Sequence, residues 1–186
     1  TGTPLSGPAG SCDPVAPTLC GTPFPSTYHM VEDASTGSGW RIALAEDTLP
    51  DNANAYQNSP DFFNELDGWS VLTPMLAHFD DLSLEGLSGH DDLGASIADE
   101  SRSIVVDVDT GERVPHFVER DVSIEDGDRS TLMIRPVSPM AYGHRYVVGL
   151  RDLVDTDGQS IQSSDAFASL RDGSQTQDYD VERRRT

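Results

Sequence analysis

The sequence predicts an all-β chain: an antiparallel β-sandwich with an irregular, disulfide-stapled N-terminal arm and a short C-terminal helix. Three observations predict it. From Trp69 onward, short apolar runs recur with turns between them, a spacing that favours a sandwich over βαβ units. The turns Asp109-Thr110-Gly111-Glu112, Glu125-Asp126-Gly127-Asp128 and Asp155-Thr156-Asp157-Gly158 each place Gly among acidic residues, and Gly adopts the positive φ that tight reversals need. Finally, Tyr146, Val148 and Leu150 alternate with Arg145, Val147 and Gly149, the period of a strand with one buried face.

Taken in order, residues 1–27 are dominated by Pro, Gly, Ser and Thr and should be extended and irregular. Cys12 and Cys20 lie in this segment. Their spacing is not C-x-x-C and no His pair joins them, so a local disulfide is the natural reading, with an oxidising compartment implied. Tyr28–Val31 and Trp40–Leu44 flank Ser35-Thr36-Gly37-Ser38-Gly39 as a hairpin, residues 46–60 form a polar surface crossing, and Asp61–Leu66 makes one helical turn. Ser70–Thr73 and Leu76–Phe79 read as strand kinked at Pro74, and residues 80–103 as short strands or a long loop. Ile104–Val108 with Arg113–Glu119, and Val122–Ile124 with Ser130–Arg135, read as hairpins. Thr131–Arg135 stops at Pro136, which cannot donate to a ladder. Ser164 caps a helix from Asp165 to Arg171 that buries Phe167 and Leu170, with Gly173 just past its end.

The organisation expected is an N-terminal arm and hairpin (1–60) packed on a sandwich (61–172), followed by a linker (173–186). The chain starts at Thr1 without Met and reads as a processed or truncated piece of a longer exported protein.

Two stretches carry resemblances. Pro136, Met140, Gly143, Tyr146, Val148, Leu150, Leu153, Asp155 and Gly158 fall in the order of a strand ending at Pro, a Gly-containing loop, Tyr-x-Val-x-Leu, then Leu-x-Asp-x-x-Gly. That order resembles the penultimate strand pair of bacterial immunoglobulin-like (Ig-like) domains of surface-layer and secreted proteins. Leu66-Asp67-Gly68-Trp69-Ser70, followed by Thr73-Pro74, is similar to a junction in the N-terminal regions of some secreted bacterial lipases and esterases, with Trp69 replacing the usual Phe. The resemblances imply an Ig-like sandwich in a secreted, extracellular or cell-surface protein. They imply a non-catalytic structural, spacer or interaction module. An accessory domain of a lipase or esterase, or a glycan- or protein-binding adhesion module, stays open.

Charge narrows the partners. There are 32 acidic residues against 12 basic ones, all of them Arg, for a net charge of -20. Such a chain repels phosphate backbones and anionic membranes and stays hydrated in salt, as in a saline source. No run reaches transmembrane length, so membrane insertion is not expected. Protein partners or other domains of a parent chain remain, and a homo-oligomer is open.

No catalytic residue is assigned. The nearest string to a nucleophile elbow, Gly86-Leu87-Ser88-Gly89-His90, ends in His rather than Gly, and Ser88 beside His90 reads as an exposed loop. His29, His78, His90, His116 and His144 are scattered and read as surface or strand-edge residues. Asp80-Asp81, Asp91-Asp92 and Asp99-Glu100 read as a solvated acidic face, and Trp40 and Trp69 as core or half-buried strand residues. An EF-hand centred on Gly158 fails, because Leu153 and Ser164 take its first and twelfth positions. A looser calcium site at Asp152, Asp155 and Asp157 is left open beside a plain tight turn. No cofactor is required.

Overall fold

The computed structural model describes residues 12–122, 131–176, 178, 181, 182 and 184. Two compact units emerge: Thr1–Trp69 together with Ser163–Thr186, and Ser70–Gln162. In sequence, the second is inserted into the first. These limits fall elsewhere than 60/61 and 172/173, and the helix near the C-terminus groups with the N-terminal segment rather than with the strands.

In the first unit, β1 (Met30–Glu32) and β2 (Trp40–Ile42) form the expected hairpin, with Met30 opposite Ile42 and Glu32 opposite Trp40. Asp33 closes its turn, accepting the Ser35 hydroxyl at 2.6 Å and the Arg41 guanidinium at 2.6 Å. The Ser35 hydroxyl, then Arg41, hold its carboxyl down at about 2. One helical turn, α1 (Asp61–Asn64), presents Asn64, whose amide exchanges two hydrogen bonds with the Leu44 backbone, at 2.8 and 3.0 Å. The second helix, α2 (Asp165–Arg171), starts where expected, the Ser164 hydroxyl accepting the Phe167 N–H at 3.2 Å. Its apolar residues are less covered than expected: Phe167 is 47% exposed. Seven residues offer too little apolar stripe to bury both.

The second unit holds β3 (Met75–His78), β4 (Ser103–Asp107), β5 (His116–Arg120), β6 (Thr131–Pro136) and β7 (Tyr146–Leu150). All pairings are antiparallel, in two sheets ordered β3-β6-β5 and β4-β7. Neither sheet closes on itself. Met75, Leu82, Val105, Val118, Leu132, Ile134 and Leu153 form one core fed by both sheets, with Tyr146 and Leu150 of β7 packed against it. Central β6 keeps a strict period of two, with Leu132, Ile134 and Pro136 buried.

Several sequence expectations are corrected. Residues 70–73 form a turn closed by the Thr73 N–H on the Ser70 carbonyl, not a strand. For residues 80–103, left open between short strands and a long loop, the loop holds over 80–102, around a 3₁₀ turn at Leu93–Ile97. The Asp109–Glu112 reversal forms, with the Asp107 N–H on the Glu112 carbonyl and the Val114 N–H on the Val105 carbonyl. Its arms then part, because Pro115 has no N–H to continue the ladder, and β5 joins the other sheet. Residues β6 and β7, consecutive in sequence, likewise sit in different sheets. The hairpin through Asp126 and Asp128 lies outside the described residues.

Gly149 has a packing reason. A Cβ there would lie 2.9 Å from the Ile104 Cγ1 opposite it on β4. Gly149→Ala is expected to cost about 1 kcal/mol in chemical denaturation, the low end of overpacking. An unchanged midpoint would show that Ile104 swings aside freely.

Candidate functional site

The polar chemistry of the second unit gathers where β4 faces inward. Ser103, Val105 and Asp107 are its buried positions, while Ile104 and Val106 are only half-buried and Val108 is exposed. Hydrophobic pattern alone favours the opposite face. What reverses it is pairing: each inward polar residue finds a partner.

The first cluster is fully enclosed. His116 opens β5 with no exposed surface, as has Ser103. The His116 Nδ1 lies 2.9 Å from the Val114 carbonyl, which can only accept, so Nδ1 carries the hydrogen. Nε2 therefore accepts the Ser103 hydroxyl, 2.9 Å away. The His116 backbone N–H donates to the buried Ser96 hydroxyl at 3.1 Å. Burial pushes the imidazole below its ordinary value, against the Val114 hydrogen bond, so it is held neutral. Hydroxyl, imidazole and orienting carbonyl follow the order of an activated nucleophile. Full burial leaves the hydroxyl no approach for a substrate, and the contacts instead tie β4, β5 and the 3₁₀ turn together.

The second cluster sits at the end of β4. Asp107 Oδ1 accepts the backbone N–H groups of Asp109 and Thr110 at 2.9 and 3.3 Å, and Oδ2 accepts the His144 Nδ1–H at 2.8 Å. Asp109 Oδ2 accepts the Arg145 N–H at 2.9 Å. Tyr146, opposite Asp107 in the ladder, stacks on the His144 ring with centroids 6.4 Å apart. Among the described residues, Asp107, Asp109 and His144 are the one group of metal-ligand type with atoms within 4.8 Å of one another. Both Asp107 oxygens and the Nδ1 facing them are already hydrogen-bonded, which makes this a charge cluster rather than an open coordination site.

No family model, curated protein or solved structure matches the chain.

Ser88 is buried, and its carbonyl accepts the Val118 N–H, whereas His90 is exposed and pairs with Asp91 at 3.0 Å. The structure does not bring the two together. Ser88 borders a hollow of about 420 Å³, lined also by Gly86, Leu87, Asp92, Gly94 and Ser101. Asp152, Asp155 and Asp157 are not gathered either. Asp155 Oδ1 accepts the N–H groups of Asp157 and Gln159 at 3.0 and 2.8 Å, and Gly158 takes φ +77° to complete a tight turn. The three acidic pairs at 80–81, 91–92 and 99–100 are exposed as expected. Two histidines correct the surface expectation, since His29 and His116 are both buried.

In the first unit, Cys12 and Cys20 are bonded to each other. Beside them Asp13 is fully buried, accepting the Val15 N–H and the Ser26 hydroxyl, with the Arg184 guanidinium 3.2 Å away. Burial pushes its carboxyl up despite Arg184.

Proposed function

We propose that this chain is a non-catalytic structural or interaction module of an exported protein, with its strand unit an Ig-like sandwich. The observation that carries the reading is how the polar side chains are used. Ser103, His116, Ser96 and Asp107 direct their polar atoms at neighbouring strands and turns. A local disulfide and an acidic surface suit work outside the cell. Two sheets feeding one core, with consecutive strands changing sheet, suit a sandwich.

The test is turnover of short-chain esters by the full chain. We expect none above the uncatalysed rate, and no difference for Ser88→Ala or Ser103→Ala. Ester cleavage abolished by either substitution would overturn the non-catalytic reading and favour a hydrolase.

A further inference from the structure

The loop 137–145 crosses from β6 to β7 with few ties. The Val137 N–H reaches the Pro115 carbonyl, the Met140 N–H the Val71 carbonyl, and the Ala141 N–H the Tyr146 hydroxyl at 2.8 Å. Tyr142 at its tip is 87% exposed. Its return to β7 is held by three contacts at the end of β4: His144 on Asp107, the Arg145 N–H on Asp109, and the Val108 N–H on the Arg145 carbonyl. The groups facing His144 among the described residues are Asp107 and Asp109 from β4 and its turn and Tyr146 from β7.

We propose that the Asp107–His144 pair is a pH-graded clamp that fixes this loop in weak acid and loosens it as the solution becomes alkaline. In weak acid the imidazolium faces a carboxylate whose other oxygen is bound by backbone N–H groups, so an ion pair reinforces the hydrogen bond. Loss of the imidazolium proton leaves a neutral donor, and the loop return keeps only its backbone contacts. The presentation of Tyr142 then depends on pH.

The direction follows from both partners. The hydrogen bond that His144 donates to Asp107 raises His144 above 6.5, so its contribution is complete below that value and is lost as pH rises through the folded one. For Asp107, burial works upward, but hydrogen bonds from His144, Asp109 and Thr110 outweigh it and lower the carboxyl below 3.8. Its contribution is complete above that value and lost only in strong acid. The clamp is tightest between the two.

Nuclear magnetic resonance on the full chain tests this. The His144 ring protons are titrated in the wild type and in Asp107→Asn. Amide protection of Ala141 and Arg145, corrected for intrinsic exchange, is compared at about pH 5 and about pH 8. We expect His144 to titrate above 6.5 and to fall toward it in Asp107→Asn. Protection should drop several-fold at the higher pH in the wild type. In His144→Gln, which still donates but never charges, it should not change with pH. A wild-type His144 titrating at or below 6.5, or protection equal at both pH values, would overturn the clamp without bearing on whether the module is catalytic.

Discussion

His116→Ala is expected to destabilise the second unit by about 3–5 kcal/mol, the range for emptying a fully buried large side chain and orphaning its partners. The imidazole has no exposed surface, so its removal leaves a cavity flanked by Val105 and Val118 strands rather than a dent on the surface. It also strands the Ser103 hydroxyl and the Val114 carbonyl, each of which has His116 as its side-chain partner. Ser103→Ala should cost less, about 1–2 kcal/mol, because only Nε2 loses a partner and the cavity is small. The double variant should cost less than the sum, since the two residues share one hydrogen bond. Urea denaturation of the four proteins checks this, and a His116→Ala midpoint within error of the wild type would refute the bridging role.

The two histidines pull stability in opposite directions with pH. His116 is lowered, so the unfolded chain binds a proton more readily than the folded one below 6.5. Its contribution is complete above that value and is lost as pH falls toward the folded one. His144 is raised, and its contribution is lost as pH rises. A wild-type stability profile with a maximum near neutrality is the consequence. His116→Ala should flatten its acid side and His144→Gln its alkaline side.

Legibility in the sequence followed the strength of local chemistry. Strand β7 and its Asp155–Gly158 turn were readable because β-type residues and glycine position act within a few residues. The single buried face that alternation implies does not form: Val147 and Val148 are both exposed, while Tyr146, Gly149 and Leu150 are half-buried. The cap at Ser164 was readable for the same reason. The partnering of strands was not. Asp107 looks like one more turn carboxylate, and only the ladder that puts Tyr146 opposite it, and the loop that returns His144 beside it, make it the centre of a cluster. His144 is 37 residues away in sequence, a separation that no periodicity encodes. Likewise Ser103 and His116 lie on strands of different sheets, joined by a reversal that Pro115 forces apart. The signal that was present is the polar–apolar–polar pattern Ser103, Val105, Asp107, which marks a face too polar to bury unless it is paired.

Reduction of Cys12–Cys20 is expected to cost about 2–3 kcal/mol, the chain-entropy value for so short a loop. That is a large share of a stability of about 5–15 kcal/mol. The effect should concentrate in the first unit, whose buried apolar residues among those described are Tyr28, Ile42, Leu44 and Val181, against the larger cluster of the second. A small core leans on covalent staples. The staple also fixes chemistry that depends on exact placement. Asp13 follows Cys12 directly, and its buried carboxylate is tolerable only while Val15, Ser26 and Arg184 surround it. Freeing the loop lets that carboxylate return to water, which favours the opened state further at neutral pH. The Ser164 hydroxyl, which donates to the Val15 carbonyl at 3.1 Å, would lose its acceptor in the same event and loosen the start of α2. Thermal unfolding with and without reductant, beside a Cys12→Ser/Cys20→Ser variant, measures the cost. In the unreduced protein, thiol reagents should label neither cysteine. Stoichiometric labelling before reduction, or an unfolding curve indifferent to reductant, would show that the first unit does not depend on a Cys12–Cys20 bond.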